Sequence, residues 1–231
     1  MSLSSLHIIA RAHNGFVEKF GIPRQSREGS VLLTRIVFEP DYRVREALRG
    51  IEAFSHLWLL WGFSANKGDQ EEWSPTVRPP RLGGNTRMGV FATRSPYRPN
   101  PIGLTSVKLL RVEDTDDGLV LVVSGADLLD GTPIYDIKPY ISFSDSHPDA
   151  QNGFAEAPKD YRLSVAWTAE ASTLIPVESP LRLAFDEILS QDPRPAYQDD
   201  PEREYGLCYD GYEVCFSVKE SRLIVKKAYV K

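Results

Sequence analysis

This 231-residue chain is poor in cysteine, histidine and methionine, with two, four and two of each. The two thiols, Cys208 and Cys215, have no CxxC spacing and no histidine at ligand distance in sequence. That argues against a zinc site and fits reduced thiols in a cytoplasmic protein. His7, His13, His56 and His147 are scattered, so no metal ligation is expected. No run approaches eighteen apolar residues, which leaves no membrane-spanning helix to expect. The N-terminus MSLSSLHIIARAHNG lacks a basic start and a long apolar run, so it does not read as a secretory leader. There is no GxGxxG, which removes the glycine fingerprint of a dinucleotide fold or a Rossmann-type methyltransferase. P-loop, HExxH and GxSxG motifs are missing too. Nor is the chain basic: its formal charge is -5.

Against that acidic background one strip stands out. Residues 75–104 read PTVRPPRLGGNTRMGVFATRSPYRPNPIGL, with five arginines, six prolines, four glycines and no Lys, Asp or Glu. Arg78, Arg81, Arg87, Arg94 and Arg98 give the strip +5, leaving -10 elsewhere. Guanidinium presents a planar donor fork that suits phosphate, and it stacks on bases. Proline and glycine set unusual backbone paths, as a preformed loop site requires. A solvated proline-rich loop is the alternative, but such a loop normally mixes both charge signs. Nucleic acid, if bound, is therefore bound locally, with salt-sensitive affinity.

Strand signals crowd the first 145 residues. They cover Leu6–Ala12, Ser30–Phe38, His56–Phe63, Met88–Thr93, Ile102–Val112, Leu119–Ser124 and a short stretch near Ile134–Ile137. VREALRG at 44–50 reads as a short helix stopped by glycine. Alternating βα units are lacking, so a mainly β fold is expected: an N-terminal β-barrel over 1–145. Residues 146–231 read as a small acidic α+β domain. Its signals are a strand over Tyr161–Thr168 and a helix over Ser179–Ser190, with Ser179 as cap and Pro180 first. A hairpin about Asp210-Gly211 and a third strand over Leu223–Val230 complete it.

Three short patches hold candidate chemistry. Pro23, Arg24 and Gln25 form a polar loop or a simple turn. GADLLDGTP at 125–133 sets Asp127 and Asp130 three apart after a strand; they are either ligand-binding carboxylates or solvated acids of a β-turn. Asn100-Pro101 partly matches the Asx-Pro-Pro-aromatic loop by which adenine-N6 methyltransferases hold their target amine. In YDIKPY, Asp136 and Lys138 are expected to form a local ion pair. Phe91 is expected to pack inside the barrel.

Together these segments resemble a known family. PRQS at 23–26, GIEAFSHLWLLWGF at 50–63, the strip at 75–104 and DLLDGTPIYDIKPY at 127–140 are similar to the TrmO family, also called TsaA-like or YaeB-like. QDPRPAYQ at 191–198 is similar to the extra domain of the bacterial form. The chain departs from the family's IGxIxSPY-like start, having IIARAHNGF at 8–16, and it has Ser26 where proline is common.

The resemblance implies an S-adenosyl-L-methionine-dependent methyltransferase acting on N6 of threonylcarbamoyladenosine at position 37 in threonine tRNA. It further implies a barrel unlike the Rossmann enzymes and a homodimer with the cofactor near the subunit interface. Carried over by motif, Pro23, Arg24, Gln25, Ser64, Ala65, Arg94, Leu104, Gly125, Ala126, Asp127 and Leu128 become cofactor-binding residues. Asn100, Asp127 and Asp130 become candidates to accept hydrogen bonds from the adenine amine or take its proton. Arg78, Arg81, Arg87 and Arg98 suit anticodon-loop phosphates or the threonylcarbamoyl carboxylate, and Tyr97 suits stacking on a flipped base. Methyl transfer from a sulfonium needs no metal. A non-catalytic module that binds the anticodon loop, or a protein-interaction domain using the proline-rich loop, are the other readings.

Overall fold

The computed structural model describes residues 6–23, 29–63, 73–79, 82, 85–116, 118–155, 162–194, 200 and 202–231. The N-terminal part contributes β1 (Ala10–His13), β2 (Leu33–Phe38), β3 (His56–Gly62), β4 (Thr76–Val77), β5 (Met88–Gly89), β6 (Ile102–Thr115), β7 (Gly118–Ser124) and β8 (Pro133–Pro139). Six of these join in the order β1-β2-β7-β6-β3-β8, and β8 returns to pair with β1 as a closed barrel. Closure leaves no open edge in the ring, which removes a template for unwanted strand pairing.

Alternation builds the interior. Along β6, Gly103, Thr105, Val107 and Leu109 are buried, while Leu104, Lys108 and Leu110 are exposed. Such a period of two puts one set into the barrel and the other outside. The core gathers Ile36, Leu57, Leu59, Val107, Leu121, Val123, Leu128 and Ile134 among others. β7 is buried at every position from Leu119 to Ser124, matching its uninterrupted LVLVVS.

Three elements differ from expectation. The strand expected over Met88–Thr93 is only Met88–Gly89, and Val90–Ala92 is a 3₁₀ turn. A 3₁₀ turn has a period of three, so Val90 goes inward, fully buried, and Phe91 goes outward. The short helix near 44–50 is likewise 3₁₀, over Arg45–Leu48. The first strand begins late, at Ala10.

C-terminal to the barrel come α1 (Ser142–Asp145), β9 (Ser164–Trp167), α2 (Ala169–Leu174), α3 (Pro180–Ser190), β10 (Tyr205–Tyr209), β11 (Tyr212–Lys219) and β12 (Arg222–Val230). The sheet order is β10-β11-β12-β9, with β9 parallel to β12. Ser179 caps α3 by accepting from the Arg182 amide at 3.1 Å, and Pro180 opens the helix; such a cap contributes about 1 kcal/mol. Asp210 and Gly211 both have positive φ, 50° and 75°, as their two-residue turn requires. Cys208 faces Glu213 and Cys215 faces Gly206 across that hairpin, so the thiols are not paired.

Residues from the first part complete the second core. Phe16 and Leu32 lie in the cluster with Phe185, Ile188, Leu207 and Phe216. The Phe16 ring meets Tyr209 edge-on at 4.9 Å. The Asp210 amide donates to the Gly15 carbonyl at 2.9 Å. Burial of Tyr209 at this contact pushes its phenol up to about 12. Glu187 on α3 accepts from Ser30 Oγ and from the Val31 amide, both at 2.6 Å. Residues 15–16 and 30–32 are therefore both fastened to the C-terminal body.

Gly103 is forced by a close approach. A Cβ there would lie 2.2 Å from Cε2 of Trp61, whose ring covers its cross-strand partner. The ring has little freedom, because its Nε1 donates to Thr105 Oγ1 at 3.0 Å. Gly103→Ala is expected to destabilise by about 1–3 kcal/mol through overpacking. Urea unfolding checks this, and an unchanged midpoint would show that the ring gives way freely.

Candidate active site

A hydrogen-bonded chain crosses from β3 through β6 to the loop after β7. Trp61 Nε1 donates to Thr105 Oγ1 at 3.0 Å, and Thr105 Oγ1 donates to Asp127 Oδ1 at 2.8 Å. Thr105 is buried by the strand alternation, and the register sets Trp61 beside Gly103 on the neighbouring strand. The hydroxyl can accept from one side and donate to the other, so accepting from the indole leaves its own proton free for the carboxylate. Gly125, at φ 81°, turns the chain out of β7 and delivers Asp127 to this point.

Burial raises the Asp127 carboxyl above the ordinary carboxylate range. The Thr105 hydrogen bond, the loop's own amide and the Arg94 charge oppose that rise without cancelling it. A carboxylate poised this way suits proton acceptance better than one left in water.

Asp130 takes a different place. Its Oδ1 accepts from the Asn14 amide at 3.1 Å and lies 3.3 Å from His13 Nδ1. The turn at Leu129–Thr132, with Gly131 at φ 75°, carries it toward the end of β1. The two acids, three apart in sequence, thus serve different neighbours. Ala126 and Leu128 are buried and belong to the barrel core, so neither side chain is open to a ligand. The Leu128 carbonyl is itself occupied by Asn14 Nδ2 at 2.9 Å. Leu104 faces outward and is exposed, on the opposite side of β6 from Thr105.

Asn100 is exposed at the entry to β6, where its carbonyl accepts from the Ile102 amide at 2.8 Å. The next carbonyl, of Pro101, accepts from the Phe63 amide at 3.2 Å and ties this loop to the end of β3. Arg78, Arg87 and Arg94 are exposed; Arg98 is half-buried and donates to the Thr93 carbonyl at 2.8 Å. Arg87 donates to Thr76 Oγ1 at 3.2 Å. Tyr97 is exposed. Pro23 is half-buried, and Phe20 and Ile22 just before it pack on the second core. Arg24, Gln25, Ser64, Ala65 and Arg81 lie outside the described residues. Asp136 and Lys138 pair at 2.9 Å, as the sequence suggests.

The tRNA-methyltransferase O N-terminal domain matches residues 11–146, and the TrmO C-terminal domain matches residues 160–230. The chain belongs to the tRNA-methyltransferase O family. The family's tRNA (adenine(37)-N6)-methyltransferase of Escherichia coli K12 is 40% identical over 227 residues, 96% of either chain. Its counterpart in Eikenella corrodens is 49% identical over 174 residues, 75% of this chain and 96% of that one. The crystal structure of TrmO from Pseudomonas aeruginosa superposes with a TM-score of 0.76 at 31% identity, covering 97% of each chain.

Within this family frame the Trp61–Thr105 pair is what motif reading left out. Only the cross-strand register brings these two residues to Asp127.

A pH-dependent cost follows from the raised Asp127 carboxyl. The folded form holds its proton more readily than the unfolded form does. Stability therefore falls as pH rises from about 4 through the raised value, and the penalty stays constant above. Asp127→Asn is expected to unfold at higher denaturant than the parent at neutral pH, with the gap closing on acidification below about pH 4. Denaturant titrations at a series of pH values check it; a gap independent of pH would contradict the burial of a charge.

Proposed function

We propose that the chain is an S-adenosyl-L-methionine-dependent tRNA methyltransferase that methylates N6 of adenosine 37. The single observation that carries the chemistry is the desolvated Asp127 carboxyl, held by Thr105 beside the arginine strip. Support for the substrate comes from the curated relatives, which are named for that reaction. Relatives with S-adenosylmethionine in their descriptions support the donor. At the finer level, the nucleoside is threonylcarbamoyladenosine of threonine tRNA, the enzyme is a cytoplasmic homodimer, and no metal takes part. The barrel of residues 1–145 is the catalytic unit, and residues 146–231 form an α+β appendage.

When bound, S-adenosylmethionine supplies an electrophilic methyl group on a cationic sulfur. The residues present fit such a guest: a partly buried, desolvated carboxylate at Asp127 and half-buried apolar surface at Pro23. The nucleophile is the harder problem. The lone pair of N6 is shared with the purine ring and, in the carbamoylated nucleoside, with a carbonyl as well. That sharing also makes N6–H more acidic. Asp127 would take this proton when N6 is methylated; the carboxylate's negative charge and the donor's positive charge would then both be lost, so no outside base is needed. The Asn100 side chain, at the mouth of β6, accepts a hydrogen bond from the same region of the base. Thr105 keeps Asp127 aligned, and alignment supplies much of the rate in a displacement of this kind. Arg78, Arg81, Arg87 and Arg98 hold anticodon-loop phosphates, and Tyr97 stacks on the extruded adenine.

Calorimetry should show saturable binding of S-adenosylmethionine. Mass analysis should show a methyl mark on threonine tRNA from a deletion strain only after this protein is restored. A non-catalytic RNA-binding module would bind tRNA and leave both measurements blank. Arg78→Ala and Arg87→Ala should each weaken tRNA binding and lower the slope of log affinity against log salt by about 0.7–1. Cofactor affinity should stay unchanged in both. An unaltered salt slope would mean these arginines do not meet phosphate.

A further inference from the structure

Phe91 of the strip and Trp73 just before the strip form an aromatic feature that the arginine reading does not use. Phe91 is 70% exposed and Trp73 is 50% exposed, with ring centroids 5.9 Å apart and planes 32° from parallel. The Arg98 guanidinium carbon lies 5.9 Å from the Phe91 ring centre. Phe91 is not a loose side chain at a loop tip. Its neighbour Val90 is fully buried, and the Val90 amide donates to the Pro75 carbonyl at 2.9 Å. Thr93 closes the turn by donating to the Val90 carbonyl through Oγ1 at 2.8 Å. Arg98 closes the next turn on the Thr93 carbonyl. Pairing of Thr76 with Gly89 brings the segment carrying Trp73 alongside. Two parts of the chain thus present two large rings to solvent from a braced backbone.

Leaving such area wet forfeits the hydrophobic gain of burying it. An exposed aromatic pair whose Phe91 is braced, overlaid by a guanidinium and set in a window without a single acid, with Trp73 beside it just outside that window after Glu71 and Glu72, has the make-up of a base-stacking platform for single-stranded RNA. We propose that Phe91 and Trp73 form a stacking site for an unpaired nucleobase of the tRNA other than the adenine being methylated. This rests on the tRNA reading above but not on Asp127 or the methyl donor. Arg98 braces the platform and adds its charge to the adjoining phosphate. Every base has a π face, so the site is tolerant of base identity and serves to hold the anticodon loop in place while the target is extruded.

The test measures binding of an unmodified threonine-tRNA anticodon stem-loop, without cofactor, to the full chain. Phe91→Ala should weaken it at least about fivefold. Phe91→Leu, which keeps apolar area but loses the π face, should weaken it similarly. Phe91→Trp should return affinity to within about twofold of the parent. A blunt-ended duplex RNA should bind all four proteins alike. Stem-loop addition should quench fluorescence of the parent more than of Trp73→Phe. S-adenosylmethionine affinity by calorimetry reports that each variant remains folded.

Equal stem-loop affinity for the parent and Phe91→Ala overturns the proposal. So does a Phe91→Ala variant whose sedimentation shows a changed association state, since the ring would then be covered by a second copy of the chain. If the methyltransferase reading alone is wrong, the parent transfers no methyl group while stem-loop binding still depends on Phe91.

Discussion

A carboxylate withdrawn from water is costly, and this fold accepts that cost at Asp127. Thr105 reaches it only because β6 alternates strictly and turns that hydroxyl into the barrel. Trp61 then orients the hydroxyl from the neighbouring strand, and Gly103 leaves room for the indole to do so. A chain of small necessities runs from a glycine without a side chain to a carboxylate with a raised proton affinity. The adjoining strip depends on the same scaffold, since Pro101 is tied to Phe63 at the end of β3 and Arg94 bears electrostatically on Asp127.

The strip has a division of labour. Its apolar and hydroxyl residues, Val90 and Thr93, fasten the backbone, while Arg78, Arg87 and Arg94 and the aromatics Phe91 and Tyr97 are turned outward. Arg98 belongs to both groups, bonding one carbonyl and lying over one ring. The C-terminal body adds a clamp. Glu187 and the Phe16–Tyr209 contact hold the two ends of the segment that includes Pro23.

Local signals are legible where one residue type answers one backbone need. Ser179-Pro180 opens a helix and Asp210-Gly211 makes a hairpin, because capping and positive φ are near-local matters. β7 is legible because its run from Leu119 to Val123 is wholly apolar. Reading fails where a turn imitates a strand: MGVFAT has strand composition, yet Gly89 begins a 3₁₀ turn and Phe91 ends outside. It also stops short wherever function needs a cross-strand partner. Nothing in GADLLDGTP tells Asp127 from Asp130; Thr105 lies 22 residues away and Asn14 116 residues away from the acids they bind. The short helix α2 and the membership of Phe16 and Leu32 in the second core are equally invisible, being consequences of long-range packing.

The most direct measurement is the pH dependence of a single turnover of methyl transfer to threonine tRNA, at saturating S-adenosylmethionine, for the parent and for Asp127→Asn. Proton acceptance by Asp127 predicts a parent rate that climbs with pH through a carboxylate raised above its usual range and then levels. The substituted protein should be slower and without that rise. A variant that keeps the parent's rate and its profile would contradict a catalytic role for this buried acid.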